Sequence, residues 1–142
     1  MKRTIWTILV IVCLIFISCK KEPDHVAVQH ILIAFKGSIQ KDSVKRTRTE
    51  AELMAKEIFK RAKQGQNFDK LVESFTDDQY PGIYRMSNLD ITPDEGKGEY
   101  SRSRMVKAFG DVSFKLPING IGLAKYDPET SKYGWHIIKR IE

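Results

Sequence analysis

Apolar and polar residues divide this chain into blocks of differing period, and each period predicts a different element. The first block, Ile5 to Ile17, carries no charge; basic Met1-Lys2-Arg3-Thr4 precedes it, and Ser18-Cys19 and then Lys20-Lys21-Glu22-Pro23-Asp24-His25 follow. It is short for a bilayer span of about 20 residues, and it has the n-region and h-region order of a secretory signal. Val26 to Phe35 is rich in β-branched residues and bounded by Gly37, which predicts a largely buried strand with His30 in its middle. A polar loop from Lys36 to Arg48 follows.

The period then becomes helical. Thr49-Glu50-Ala51-Glu52 has capping-box spacing, in which a hydroxyl and a carboxylate satisfy the N–H groups left free at a helix start, so a helix is expected from Thr49. Ala51, Met54, Ala55, Ile58, Phe59 and Ala62 line one face until Gly65 stops the run. Asn67 caps a second, shorter helix with Phe68, Leu71, Val72 and Phe75 at i, i+3, i+4 and i+7. From Thr76 to Arg102 the chain is polar and turn-rich, apart from the alternation Ile83-Tyr84-Arg85-Met86, which suits a short strand. Ser103 to Phe109 predicts a brief helix ended by Gly110, and Asn119-Gly120 marks a turn. Ile121 to Tyr126 and Trp135 to Ile141 predict two closing strands, joined through the polar loop Asp127 to Gly134. This order predicts an α+β domain in which helices stand apart from an antiparallel sheet.

Composition narrows the choice. The chain has 142 residues and a net charge of +6, from 24 Lys+Arg against 18 Asp+Glu. That is room for one domain. The acidic residues are interspersed and no long basic block occurs, so nucleic acid is not an expected partner. Two cysteines exclude a CxxC…CxxC zinc site and a disulfide-rich scaffold. The small Ser18 before Cys19, directly after the apolar run, resembles a bacterial lipobox, although Phe16 stands where the usual motif has Leu. The resemblance implies a signal over 1–18, acylation of Cys19, a tether over 19–25 and a domain over 26–142. An uncleaved N-terminal anchor is the alternative, and both readings tie the domain to a membrane. Cleavage removes Lys2 and Arg3, so +6 becomes +4. Lys20 and Lys21 then lie beside the lipid, where they suit a membrane surface.

Five segments, in order, resemble the parvulin-type peptidyl-prolyl cis/trans isomerases. They are Val28-Gln29-His30-Ile31-Leu32-Ile33; Thr47-Arg48-Thr49; Phe68 to Asp78; Met105 to Leu116; and Tyr133-Gly134-Trp135-His136-Ile137-Ile138-Lys139. The resemblance implies a four-stranded antiparallel sheet flanked by about four helices, with a proline pocket on one face. It also implies rotation about X–Pro bonds in unfolded or flexible polypeptides of the cell envelope, with no metal, cofactor or covalent intermediate. A peptide-holding chaperone with weak or no isomerase activity is the alternative.

The same resemblance assigns the site. His30 and His136 match the family's paired histidines; read without it, each is a hydrogen-bonded core histidine. Asp78 matches a position that is Cys in phosphate-dependent members and often Asp in bacterial ones, with Asp77 leaving the register open by one. Met105 and Phe109 match proline-pocket residues. A further apolar pocket residue falls on Ile83, with Gly96 to Tyr100 competing for the register. Lys41, Lys45, Arg46 and Arg48 could suggest phosphate recognition, but the strand position of a phosphate-contacting Lys is Ala34 here, so a solvated loop and unphosphorylated substrates are expected. Trp135 is expected to pack the sheet.

Overall fold

The buried, β-branched segment around His30 becomes β1 (His25–Ile33), the middle strand of the computed structural model, which describes residues 21–142. The expected signal and Cys19 lie outside the described residues. Around β1 the sheet runs in the order β3-β2-β1-β5-β4, with β2 at Ile83–Ser87, β3 at Tyr100–Ser101, β4 at Ile121–Ala124 and β5 at Trp135–Arg140. The α-helices are α1 (Arg48–Lys63), α2 (Phe68–Phe75) and α3 (Lys107–Lys115), and 3₁₀ turns occupy Glu95–Lys97 and Arg102–Arg104.

The class is α+β, with two corrections to the expected count. The sheet has five strands, not four, because Tyr100–Ser101 adds a short strand parallel to β2; the other pairings are antiparallel. Among the described residues, three α-helices and two single 3₁₀ turns stand in place of the expected four helices.

Side chains along a strand alternate between faces, and β1 is apolar on both. Ile31 and Ile33, with Trp135 and Ile137 of β5, meet Ala51, Ala55, Ile58 and Ala62 of α1 and Phe68, Leu71 and Val72 of α2. The alanines let α1 approach the sheet closely. On the opposite face, Val26, Val28, Met86, Ala124 and Ile138 pack against Phe109 and Phe114 of α3. His30, Leu32 and His136 lie on this second face.

Local sequence explains the remaining differences. The capping box forms two residues early: Thr47 Oγ1 accepts from the Glu50 N–H, and Glu50 reaches back to the Thr47 N–H. TRTEAE contains two such frames. Arg46 selects the first, because it is fixed at both ends: its side chain donates to the Ala34 carbonyl, and its own carbonyl accepts from the Lys36 N–H. Gly110 does not end a helix but lies within α3, where an added Cβ would come 3.0 Å from Arg102 Cγ. Its missing side chain makes room for Arg102. Gly134 is required by conformation: its φ is +140°, and a Cβ there would meet the Ile33 carbonyl oxygen at 2.2 Å.

The expected tether is partly anchored. Arg102, 9% exposed, bonds Glu22 Oε2 at 2.6 Å, Asn88 Oδ1 at 2.7 Å and Asp111 Oδ1 at 2.9 Å, with its guanidinium 4.8 Å from the Phe114 ring centre. Asn88 also donates to the Pro23 and Asp24 carbonyls. Residues 22–24 are therefore held against the domain.

Candidate active site

Strand register brings the two histidines together across 106 residues of chain. His136 stands opposite Leu32, and Ile138 opposite His30, so the histidines are diagonal neighbours on one face. Their rings are near parallel, at 16° and 5.4 Å between centroids, with Nδ1 to Nδ1 at 3.3 Å. Phe109 of α3 stands 5.1 Å from the His30 ring and 5.5 Å from that of His136. Tyr84 of β2 faces Val28, and its ring lies edge-on to His30 at 5.1 Å.

The segment after α2 delivers Asp78 by running alongside the end of β1. The Asp77 N–H donates to the Leu32 carbonyl at 2.8 Å, and the Leu32 N–H donates to Thr76 Oγ1 at 3.2 Å. The two adjacent aspartates then divide their roles. Asp77 Oδ2 accepts from the Ala34 N–H at 2.8 Å and from Arg46, holding the loop. Asp78 Oδ2 instead accepts from His30 Nε2 at 2.9 Å and from the Tyr84 hydroxyl at 2.7 Å.

These bonds dictate charge and tautomer. Donation from His30, together with that from Tyr84 and the Gln79 backbone, holds the Asp78 carboxyl below the usual carboxylate range despite its partial burial. Burial, and the carboxylate acceptor beside it, push the Tyr84 phenol up. Burial, reinforced by the neighbouring His30, lowers His136 to about 3. With Asp78 anionic, His30 carries its proton on Nε2 and presents a bare Nδ1 in its neutral form. His136 then donates from Nδ1, and its own Nε2, buried and without a partner among the described residues, is left with a free lone pair.

Above this network opens a cavity of about 300 Å³. Leu32, Ile39, Met105, Val106, Phe109 and Tyr133 supply most of its wall; His30, His136, Asp78 and Tyr84 supply the polar side. His30, His136, Asp78, Met105 and Phe109 thus meet at one place.

Ile83 does not. It pairs with Gln29 on the other face of the sheet and is 45% exposed, and its neighbour Tyr84 faces the cavity. With a period of two, a shift of one residue changes the face. The competing stretch Gly96 to Tyr100 also contributes nothing to the cavity. The basic loop is more ordered than a solvated loop, since Arg46 and the Lys41 ammonium bind Asp77 and Arg48 lies over Tyr126. Leu32, two residues beyond His30 on the same strand, and Val106, next to Met105, were accessible from sequence. Ile39 and Tyr133 come from loops and carry no periodic signal.

A family model for the PPIC-type PPIASE domain matches residues 14–142. The dodo protein of Drosophila melanogaster, named as a peptidyl-prolyl cis-trans isomerase, is 32% identical over 126 residues, covering 83% of this chain and 66% of that one. Foldase protein PrsA of Geobacillus sp. is 33% identical over 89 residues, or 62% of this chain and 27% of the relative. The chain thus spans less than two thirds of either. Among solved structures, that of TbPIN1 superposes with a TM-score of 0.60 at 21% identity, covering 84% of this chain and 98% of the other. Peptidyl-prolyl isomerase ESS1 from Candida albicans gives 0.57 at 17%, covering 84% and 63%. At these identities the two structures speak for the fold.

Proposed function

Since the chain belongs to the family of PPIC-type peptidyl-prolyl isomerase domains, we propose that it catalyses cis/trans rotation about X–Pro bonds in unfolded or flexible polypeptides, with the proline ring in the cavity beside His30 and His136. One observation carries this reading: an apolar cavity lies directly against a closed network of ionised Asp78, neutral His136 and the His30 and Tyr84 donors.

Resonance sets the barrier for an X–Pro amide at about 20 kcal/mol. The planar forms carry the greater charge separation, and a twisted amide has given it up. Leu32, Met105, Val106 and Phe109 exclude water from the ring and the adjacent bond, which favours the twisted form over either planar one. Catalysis needs only this difference in binding. His30, Asp78 and Tyr84 act by position: they fix the floor on which the amide turns and keep its polar atoms in a defined field. The anionic Asp78 stands where a thiol nucleophile would be needed for a covalent route. Arg46 is committed to Asp77, so clients with an uncharged or unphosphorylated residue before proline are the expected substrates.

We further place the domain on the outer side of a bacterial membrane, held by acylated Cys19 and assisting the folding of exported proteins; Met1 to Cys19 supports this reading. NMR exchange or protease-coupled assay of an X-Ala-Pro-Phe peptide with residues 21–142 tests the activity. Acceleration is expected. A folded protein giving none would leave a peptide-holding module. Fatty-acid labelling that disappears in Cys19→Ala supports the anchor, and labelling that persists refutes it.

A further inference from the structure

Strand β2 is covered unequally on its two sides. β1 pairs with it from Ile83 to Ser87, whereas β3 pairs only with Met86 and Ser87. Residues 83–85 thus have no strand on their outer side among the described residues. The Gly82 carbonyl accepts from the His30 N–H, at 2.9 Å. By the alternation of an antiparallel ladder, Gly82 and Tyr84 turn their backbone groups to β1, and Ile83 and Arg85 turn theirs to the open side.

Large side chains surround this edge. Tyr80 is 53% exposed, Ile83 45% and Tyr100 50%. Tyr100 pairs with Met86, which puts it on the cavity face with Tyr84, and the two rings are 6.2 Å apart. A groove of about 210 Å³ lies here, lined by residues 79–84 and Tyr100, none of them charged. The single charge on the open edge, Arg85, is turned to Glu142 at 2.6 Å. Open edges are commonly blunted by charge or by proline. Here the edge's charge, Arg85, is drawn aside to Glu142, and Pro81 lies just before the strand, so the backbone of Ile83 and Arg85 stays open beside aromatic rings.

Tyr84 borders the groove and the cavity alike. We propose that the open edge of β2 is a second subsite for an extended, uncharged, aromatic-bearing segment of the same client whose proline fills the cavity. The proposal rests on the isomerase reading for its first contact. Backbone groups of Ile83 and Arg85 pair with the client main chain, which tolerates many sequences, and Tyr84 and Tyr100 receive an aromatic side chain. An extended chain covers the step from Tyr84 to Tyr100 in about two to three residues.

The test compares an acetylated Ala-Pro-Ala peptide with two longer ones, carrying Ser-Phe-Ser either before or after that core. Binding to the full chain is followed by amide shifts. At least one long peptide is expected to bind about tenfold more tightly than the short one and to shift the amides of Ile83, Arg85 and Tyr100. Tyr100→Ser should bring that ratio near one, and Leu53→Ser, an exposed change on α1, should preserve it. Equal affinities for all three peptides, or shifts confined to the cavity residues, overturn the subsite even if all three are isomerised. Conversely, the tenfold gain with shifts at the edge, but no acceleration for any peptide, supports the subsite and refutes the isomerase reading.

Discussion

His136 makes a measurable demand on the pH dependence of folding. In the folded chain burial holds it neutral down to about 3, whereas an unfolded chain titrates histidine near ~6.5. Between those values the unfolded chain binds a proton that the folded one refuses. Stability therefore rises with pH through this window, is fully present above the unfolded value, and is lost as the pH falls. From pH 7 to pH 5 one such group removes about 2 kcal/mol. His136→Leu abolishes the titration. The variant's lost bond to His30 and its altered packing weigh at both pH values, so they cancel in the difference. Urea unfolding of residues 21–142, followed by circular dichroism at the two pH values, is the assay. The parent should lose about 2 kcal/mol more than the variant on acidification. Equal losses would mean that His136 takes up its proton while folded, and the neutral, Nδ1-protonated state assigned to it would be wrong.

The adjacent aspartates should separate cleanly. Asp78→Asn keeps one oxygen for both donors but removes the negative charge they face, and should lower kcat/KM by about 10- to 100-fold with little change in urea midpoint; Asp77→Asn should do the reverse, costing about 1–3 kcal/mol of stability at near-normal kcat/KM. Met105→Ala should reduce kcat/KM about tenfold by opening the cavity wall, while Lys45→Ala leaves it within about twofold; a larger effect of Lys45 on peptides with phosphoserine before proline would restore a phosphate reading. Glu22→Ala takes one partner from Arg102, and because Glu22 itself is partly solvated the expected cost is about 1–2 kcal/mol, which a chain beginning at Asp24 should reproduce in the same denaturation experiment.

The elements that sequence made legible are those whose period is fixed by burial on one or both faces. β1, β5, α1 and α2 stand where alternation, continuous apolar runs or i, i+4 stripes put them, within two residues at their ends. The site histidines were legible through the segments around them, since their burial by itself suits a core role equally well. Failures and open alternatives came where two frames compete in the same few residues. Thr47 and Thr49 both head an S/T-x-x-E frame, and a contact from Arg46 to a strand far away in sequence decides between them. Asp77 and Asp78 are chemically alike, and only the path of the loop along β1 turns one inward and the other toward Ala34. For the further pocket residue, Ile83 and the stretch Gly96 to Tyr100 compete in sequence, yet the pairing of β2 with β1 turns neither to the cavity and brings Tyr84 there instead. Gly110 has the composition of a helix stop, and its use as a gap for Arg102 belongs to tertiary packing.

The order of strands in the sheet has a consequence in time. β1 is made first and β5 last, yet β5 lies between β1 and β4, and it supplies both the second histidine and the face that closes the core. A chain emerging from its N-terminus holds every other strand and helix among the described residues before Trp135 appears, and until then His30 has no partner from β5. On the proposed reading, the polar floor of the cavity is therefore assembled only once β5 has been made and has docked beside β1, and a fragment lacking Trp135–Arg140 is expected to show no isomerase activity.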